Sequence, residues 1–384
     1  MNLIALKMLI GDRLKYFSLV AGLAFAALLV TQQSSIFTGY ALRVASWVRD
    51  TNAAADLWVM DPQAEFTEAN KPMLDTALTR VRGVEGVAWA VPIYKGYLKA
   101  RLPDGTSVTC RLIGIDDATL IGGPPQMVEG QLADLRRDQA VIMNVEHAGT
   151  TLRLNRSNPP RPLNVGESFS INDHAVRVVG TYRASPEFFW EPVLYTTYSR
   201  ALSIAPGERK VLSFVLVKVR PGHSPAEVAQ RIADTTGLKA MTGPQFAWAT
   251  TDYILQKTGI LINFGMTIGL GFVIGALIAG QTLYTFILEN LRHFAALKAM
   301  GATNLTLVRM VILQVAVAGV IGYGIGLGGA CVTGQLFSKH GLAFEMPWQI
   351  PVIGAAAIFA CCLAAALFSL NRVLRMEPGI VFKA

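Results

Sequence analysis

Four long stretches without any Asp, Glu, Lys or Arg constrain this 384-residue chain more than any other feature. They cover residues 16–42, 258–288, 310–338 and 346–371. A helix needs roughly 20 apolar residues to cross the hydrocarbon core of a bilayer, so each stretch is long enough to span one. Hydrophobic residues make up 52% of the chain and charged residues 16%, against about 25% in soluble domains. The sequence therefore predicts an α-helical membrane protein with four transmembrane helices and argues against a soluble single-core enzyme.

Basic residues flank these stretches in a pattern that predicts orientation. They collect in the N-terminus 1–15, the loop 289–309 and the tail 372–384, whereas the short loop 339–345 holds a single lysine. Because short cytoplasmic loops retain Lys and Arg, both termini and the loop 289–309 are expected to be cytoplasmic, and residues 43–257 and 339–345 to lie on the other side. A cleaved signal peptide ending near Ala24-Phe25-Ala26 is the alternative, but the apolar run continues beyond it and favours an uncleaved helix.

The exported region 43–257 is expected to be a large α+β domain inserted between the first and second spans. Its charges are nearly balanced, so the net charge of +8 comes mostly from the cytoplasmic segments and gives no support for a nucleic-acid partner. The patterns predict the following strands and helices. Strands are expected at 56–60, 87–93, 97–102, 107–115, 140–143, 168–171, 176–182 and 212–219, and helices at 68–81 and 225–236, the second capped by Ser224 with Glu227 in a capping box. We assign an α+β subdomain to about 56–118 and 211–240, and a β-rich subdomain to about 120–210.

Helical spacing continues beyond the first two spans. Phe37, Tyr40, Val44 and Trp47 recur at three and four residues, and the aromatic segment 246–257 approaches the second span in the same way. Two such extensions would form a helical stalk under the domain. Aromatic belts at the membrane surface are the alternative interpretation.

The chain lacks the common motifs of intrinsic catalysis. It has no G-x-x-x-x-G-K-[ST] phosphate loop, no G-x-S-x-G elbow, and its five histidines lack metal-ligand spacing. Of the four cysteines only Cys110 is exported, in an alternating apolar run, and we interpret it as a small core residue. No catalytic residue, metal site or cofactor is therefore expected on this chain.

The spans themselves favour close helix packing over solute conduction. Transport pathways usually place ionisable residues at mid-membrane, and these stretches have none. They carry instead several G-x-x-x-G pairs, which allow helix backbones to approach closely. The pairs are Gly265 with Gly269, Gly271 with Gly275, Gly322 with Gly326, and Gly324 with Gly328.

The cytoplasmic segment ENLRHFAALKAMGATN, residues 289–304, is the most informative part of the sequence. Its spacing predicts a short helix with an apolar stripe of Phe294, Leu297 and Met300, ended by Gly301, after which Thr303 or Asn304 caps the third span. The segment resembles the E-x-x-x-E-[IF]-[GA]-x-L-[RK]-A-x-G-A element of MacB/FtsX-type ABC transporter permeases. His293 stands where that element has its second acidic residue, which puts a salt bridge at that position in doubt.

The resemblance extends over the whole chain, because the order of one span, a large domain and three further spans is the same. Short segments are similar to the DevC-like branch of the family: DLWVMDP at 56–62, PPQMVEG at 124–130, INFG at 262–265 and AGQT at 279–282. The family implies a MacB-like fold in which the 289–304 element is a coupling helix on a separate ATPase. We expect Glu289, Arg292, Phe294, Leu297, Lys298, Met300 and Gly301 to form it, and Gly265, Gly269, Gly271, Gly275, Gly322 and Gly326 to pack the spans.

What the resemblance implies is mechanotransmission by a homodimer in the bacterial inner (plasma) membrane. Two copies of an ATPase, which binds ATP and Mg, would drive motion of the periplasmic domain. An HlyD-type adaptor, a TolC-like outer-membrane channel and membrane lipid complete a tripartite efflux system for lipid, glycolipid or other hydrophobic cargo. The alternatives are a lipoprotein-releasing or cell-wall-hydrolase-regulating permease of the FtsX type and, from another class, a membrane-anchored ligand sensor.

One periplasmic segment is a candidate contact. Pro186 to Pro192 encloses Phe188, Phe189 and Trp190 between two prolines. If these aromatic side chains are exposed they would contact lipid or a partner, and if they are buried they belong to the core or to packing between subunits. The second interpretation is the favoured one.

Overall fold

The computed structural model describes residues 2–51, 55–69, 71–207 and 211–374. Residues 375–384 of the predicted cytoplasmic tail lie outside the described residues. The chain divides into two units, which we call the membrane unit (Met1–Tyr40 with Thr258–Ala384) and the inserted domain (Ala41–Lys257).

Both units contain helices, and the longest and most apolar ones belong mainly to the membrane unit. In chain order, the described helices are α1 (Asn2–Gly11), α2 (Arg13–Val44), α3 (Ser46–Thr51), α4 (Thr76–Arg82), α5 (Val145–Ala148), α6 (Tyr198–Ile204), α7 (Pro225–Thr236), α8 (Gly243–Lys257), α9 (Ile260–Glu289), α10 (Leu291–Ala299), α11 (Asn304–Ser338) and α12 (Gln349–Leu374). Of these, α2, α9, α11 and α12 are long and apolar enough to cross a membrane. The predicted four spans are confirmed.

One buried cluster holds the helices of the membrane unit together. It joins Leu23 of α2, Phe286 of α9, Phe294 of α10 and Met310 of α11, all nearly inaccessible to solvent. Gln314, near the start of the third apolar stretch, is fully buried and donates from Nε2 to the carbonyl oxygen of Ala5 at 2.8 Å. A buried amide needs such a partner, and the bond fixes α1 to α11.

The inserted domain is built on a continuous set of paired strands. These are β1 (Leu57–Met60), β2 (Val87–Arg101), β3 (Ser107–Ile115), β4 (Gln126–Glu129), β5 (Ala140–Asn144), β6 (Ser168–Ile171), β7 (His174–Arg183), β8 (Val193–Thr197), β9 (Phe214–Val219) and β10 (Lys239–Thr242), with a 3-10 helix at Leu132–Arg136. The order is β10-β1-β9-β2-β3-β8-β5-β7-β4, and β6 pairs with both β2 and β7. The expected α+β architecture between the first and second membrane helices is confirmed.

Pairing of β6 with β2 and β7 closes a ring of six strands, β2-β3-β8-β5-β7-β6. Every strand of the ring contributes side chains to one buried cluster, among them Leu98, Cys110 and Val141. Cys110 is fully buried, donates to the carbonyl oxygen of Leu98 at 3.4 Å, and burial raises its thiol pKa to about 12. These properties are those of a core residue. β2 pairs with β9 of the assigned α+β subdomain and with β6 of the assigned β-rich subdomain, so strand pairing joins the two. Their limits remain a prediction.

Three local predictions need correction. The runs 87–93 and 97–102 form a single strand, β2, because the charge of Lys95 between them is compensated inside the fold. The helix expected from 68 begins only at Thr76: Pro72 disfavours helical backbone at the residue before it, and the amide of Met73 donates to the Leu212 carbonyl oxygen instead. Helix α7 starts after Ser224 as predicted, but Ser224 makes no side-chain capping bond.

Candidate functional site

The predicted coupling helix is α10, and its apolar side chains do not share one environment. Phe294 and Ala295 are fully buried and Leu297 is 9% exposed, all within the core of the membrane unit. Met300, the last residue of the predicted stripe, is 77% exposed. The first part of the stripe therefore anchors the helix, and Met300 is left on the surface.

Backbone geometry fixes where α10 ends. The amide of Ala302 donates to the Leu297 carbonyl oxygen at 3.0 Å, and the amide of Gly301 donates to that of Lys298 at 3.1 Å. With Gly301 at φ +98°, this pair of bonds is a Schellman motif, which favours glycine. Thr303 then caps α11 by accepting from the amide of Thr306, as predicted. A rigid turn thus presents Met300 between two helices.

The exposed surface around α10 is polar and mostly basic. Arg292 and His293 are exposed, and Lys298 is half-buried. Glu289 forms an ion pair with Lys15, which also lies 2.6 Å from Asp12 Oδ2. This pairing ties the end of α9 to the start of α2 and does not involve the position of His293.

The N-terminal segment adds a second wall to this surface. Lys7 and Arg13 line an open groove of about 650 Å³ together with Glu289, Asn290 and His293. α1 was not among the residues predicted for this surface. The signal for it in the sequence was a basic segment with helical residues directly before the first apolar span.

The predicted glycine pairs differ in what surrounds them. A Cβ added at Gly275 would lie 2.2 Å from Ala26 Cβ, and one at Gly326 would lie 2.4 Å from the carbonyl oxygen of Ala24. Gly271 and Gly322 likewise contact α2, through Leu29 and Leu23.

The other glycines of these motifs face open space. Around Gly265, Gly269, Gly324 and Gly328 there is no atom within 4 Å of an added Cβ among the described residues of this chain. Gly271, Gly275, Gly322 and Gly326 therefore pack α9 and α11 on α2. Close helix packing at the Gly265–Gly269 and Gly324–Gly328 pairs, which would need a partner outside this chain, remains a prediction.

In the inserted domain, an aromatic cluster joins two helices to the sheet. Trp47 of α3 packs edge-on against Trp58 of β1 with ring centroids 5.2 Å apart, and Phe246 of α8 lies 5.5 Å from Trp58. Phe214 of β9 contacts all three rings. α3 follows directly after α2, and α8 directly precedes α9 in the chain. The two segments predicted to form a stalk therefore both contribute to one aromatic cluster.

Beside this cluster the domain buries a group of charges. Lys95 of β2 and Arg111 of β3 are each 1% exposed, and both reach Glu68 Oε1, at 2.5 and 3.1 Å respectively. Tyr97 donates its hydroxyl to the second oxygen of Glu68. The ammonium group of Lys95 also lies 4.9 Å above the ring of Trp47, in cation–π geometry.

Burial and ion pairing shift the pKa values of Lys95 and Glu68 in opposite directions. Burial lowers the pKa of Lys95 from 10.5 to about 8, although Glu68 favours the charged form. For Glu68 burial alone would raise the pKa, but the charges of Lys95 and Arg111 more than offset it, so the pKa lies below its ordinary 4.5. The cluster is therefore an interdependent set in which each charge needs the others.

The segment between Pro186 and Pro192 is attached to this cluster. Glu187 forms an ion pair with Arg111, and Ser185 donates from its amide and hydroxyl to the carboxylate of Asp50 at 2.8 and 3.0 Å. Trp190 is 77% exposed, whereas Phe188 and Phe189 are half-buried and pack against each other at 5.2 Å. The segment is thus held by α3 and β3 while it presents Trp190 to solvent.

Sequence reasoning missed the buried charges. Lys95 and Arg111 each interrupt a local apolar run, Lys95 directly after Tyr94 and Arg111 between Cys110 and Leu112, and a charged residue at such a position is rarely buried unless it is paired. That interruption was a usable signal for the two cations. Nothing local in the sequence identified Glu68 as their partner.

Comparisons with known proteins agree with this architecture. Residues 17–235 match the family model of the MacB-like periplasmic core domain, and residues 265–378 match that of the FtsX-like permease C-terminal region. Uncharacterized ABC transporter permeases of Mycobacterium tuberculosis (strain H37Rv) and Mycobacterium bovis are 23% identical to the chain over 223 residues. The match covers 57% of this chain and 58% of each relative's length.

Two solved structures are also similar. The extracellular domain of the noncanonic ABC-type transporter YknZ from Gram-positive bacteria covers 49% of this chain at 16% identity, with a TM-score of 0.35 and all of that domain aligned. The periplasmic region of MacB from Actinobacillus actinomycetemcomitans covers 52% at 14% identity, with a TM-score of 0.38 and 93% of that chain aligned.

Four membrane helices, with an α+β domain between the first and the second, define the class of multi-pass membrane proteins that carry an extracytoplasmic domain. Within that class the chain belongs to the MacB/FtsX family of ABC transporter permeases, because the MacB-like model matches more than half of it and the FtsX-like model matches the region of its last three membrane helices.

Proposed function

We propose that this chain is the permease subunit of a DevC-like ABC exporter. It works as a homodimer with two copies of a separate ATPase, which binds ATP and Mg, and it transmits their motion through the membrane to the inserted domain. An HlyD-type adaptor and a TolC-like channel complete the exporter, whose cargo is a lipid, glycolipid or other hydrophobic compound. The membrane is the bacterial inner membrane, with both termini cytoplasmic and the inserted domain periplasmic.

The observation that carries the proposal is the burial pattern of α10: its first part is buried in the core of the membrane unit, and Met300 at its end is exposed. Phe294 and Leu297 hold the helix in the core of the membrane unit, so a force on its surface reaches α9 and α11 directly. Met300 stands out of that core on a turn closed by two backbone bonds. A rigid element with one exposed apolar residue and basic neighbours suits docking on a partner surface, where a few well-placed residues contribute most of the binding energy.

The packing of α3 and α8 on the sheet of the inserted domain supports the transmitting role. Movement of α3 or α8 acts on the sheet through Trp47, Trp58 and Phe246, which interlock as aromatic pairs. The bonds of Asp50 to Ser185 extend the same connection to the segment that carries Trp190. Trp190 is therefore our candidate contact for the adaptor, since exposed Trp residues are frequent interface anchors.

Substitution of Met300 tests the coupling role most directly. Met300→Glu in the full chain should reduce recovery of the ATPase from solubilised membranes at least tenfold, because a charge replaces the apolar anchor. Met300→Leu is the matched control, and it should keep recovery within about twofold since it preserves apolar volume. Equal ATPase recovery with both variants would remove the docking role of this surface.

Adaptor capture by the same tagged chain separates the exporter from the extraction and regulatory alternatives. Trp190→Ala should lower adaptor recovery while ATPase recovery is unchanged, because Trp190 lies in the inserted domain and α10 in the membrane unit. An ATPase recovered without any adaptor would instead favour a lipoprotein-releasing or FtsX-type permease.

A further inference from the structure

An apolar groove runs along the membrane unit between α11 and α12. It has a volume of about 290 Å³, and its walls are formed on α11 by residues from Ile312 to Tyr323 and on α12 by residues from Ala355 to Ala366. Val320 of α11 and Phe359 of α12 line it and are 73% and 71% exposed. The groove is therefore open along the surface of two helices that span the membrane.

The two polar side chains in its lining are already engaged. Tyr323 donates its hydroxyl to the carbonyl oxygen of Pro351 at 2.6 Å, and the thiol of Cys362 lies 3.7 Å from the carbonyl oxygen of Val315. Gly319 forms the floor, where a Cβ would lie 2.6 Å from Cys362 Sγ. The groove thus offers depth and apolar surface but no free hydrogen-bonding group, which suits a hydrocarbon chain and not a polar solute.

Its length matches one leaflet of a bilayer. Each wall covers eleven residue steps along its helix, which at 1.5 Å per residue is about 16 Å. The hydrocarbon core is roughly 30 Å thick, so one leaflet occupies about half of it. An acyl chain lying along the groove would run from the edge of the core to its centre.

A positive charge stands at the end of the groove nearer the 289–304 loop. Arg309 is exposed and lies one turn before Ile312, on the same face of α11 as Ala316 and Val320. Within the described part of the chain it forms no ion pair. Because side chains lean toward the N-terminus of a helix, its guanidinium group extends away from the groove toward the membrane surface.

We propose that the groove binds one acyl chain of an anionic phospholipid from the leaflet on the side of the 289–304 loop, with the phosphate of its headgroup at Arg309. Charge complementarity selects the headgroup. The position of the groove on the half of α11 nearer the 289–304 loop selects the leaflet. Basic residues beside clefts between membrane helices are an established way of holding such lipids. The site is independent of the exporter function proposed above.

Native mass spectrometry of the purified full chain with dioleoyl phosphatidylglycerol or dioleoyl phosphatidylcholine tests the proposal. We expect one phosphatidylglycerol retained in preference to phosphatidylcholine. Ala355→Trp fills the groove and should reduce that retention at least tenfold, whereas Ala356→Trp, the neighbouring exposed alanine outside the lining, should leave it unchanged. Ala316→Trp blocks the groove from the opposite wall and replaces Ala355→Trp if that variant does not fold.

The role of the Arg309 charge in selecting the headgroup is tested separately. Arg309→Gln should lower the preference for phosphatidylglycerol roughly fivefold, and Arg309→Lys should keep it. Equal retention of the two lipids, equal loss with Ala355→Trp and Ala356→Trp, or cross-linking of Ala355→Cys to a second copy of the chain would each overturn the proposal.

Discussion

The contact between α11 and α2 gives a prediction whose size follows from the structure. In Gly326→Ala the new Cβ would lie 2.4 Å from the carbonyl oxygen of Ala24 and 2.5 Å from Ala27 Cβ, whereas ordinary contacts begin at 3.4 Å. The helices must therefore separate by about 1 Å, and overpacking of this kind costs roughly 1–3 kcal/mol. Gly328, on the same helix, has open space around it.

Comparison of Gly326→Ala with Gly328→Ala isolates the free-energy cost of overpacking between α11 and α2. Both changes gain about 1 kcal/mol of helix propensity, so the difference between them reports the clash alone. At roughly 2–4 °C per kcal/mol, Gly326→Ala should have a Tm several degrees below that of Gly328→Ala. The assay is thermal unfolding of the full chain in one detergent, and Gly275→Ala against Gly269→Ala repeats it on α9. Equal Tm values within each pair would refute the assignment of these glycines to packing on α2.

Three further predictions concern other parts of the chain. Glu68→Gln should lower the free energy of unfolding by roughly 3–5 kcal/mol at pH 7, because it removes the anion between two buried cations, while the exposed control Glu65→Gln should change it by less than about 0.5 kcal/mol. The pKa of Glu68 is lowered on folding, so the stability that its charge contributes is complete above its ordinary pKa of 4.5 and is lost as the pH falls through the lowered value. The free energies of unfolding of wild type and Glu68→Gln, measured by denaturant titration, should therefore converge on acidification. Leu297→Glu should lower the Tm in thermal unfolding because it buries a carboxylate, and an unchanged Tm would contradict the anchoring role of α10. In intact spheroplasts, Trp190→Cys should react with a membrane-impermeant maleimide and Met300→Cys only after permeabilisation, and the opposite pattern would invert the proposed orientation.

Much of the fold could be predicted because its signals are local. A stretch without charges longer than a bilayer is thick has few alternatives to a membrane helix, and the four spans followed from that alone. The turn at Gly301 and the cap at Thr303 were equally local, since each depends on residues within one helical turn.

Other features depend on partners distant in sequence. The runs 87–93 and 97–102 were predicted as two strands but form one, and the compensation of Lys95 between them by Glu68 exists only after folding. The spacing of Phe294, Leu297 and Met300 predicted a single apolar stripe, but periodicity does not tell which part of a short helix reaches the core. For the same reason G-x-x-x-G motifs predicted close packing without separating Gly326 from Gly328, which only the position of α2 decides.

Recovery of partners with the tagged full chain from its native membranes tests the central claim most directly. Mass spectrometry should identify an ABC ATPase with wild type and with Met300→Leu, and an HlyD-type adaptor in the same samples. The ATPase should be lost with Met300→Glu. Recovery of the chain without any ATPase, under conditions in which the purified chain remains folded, would contradict the account.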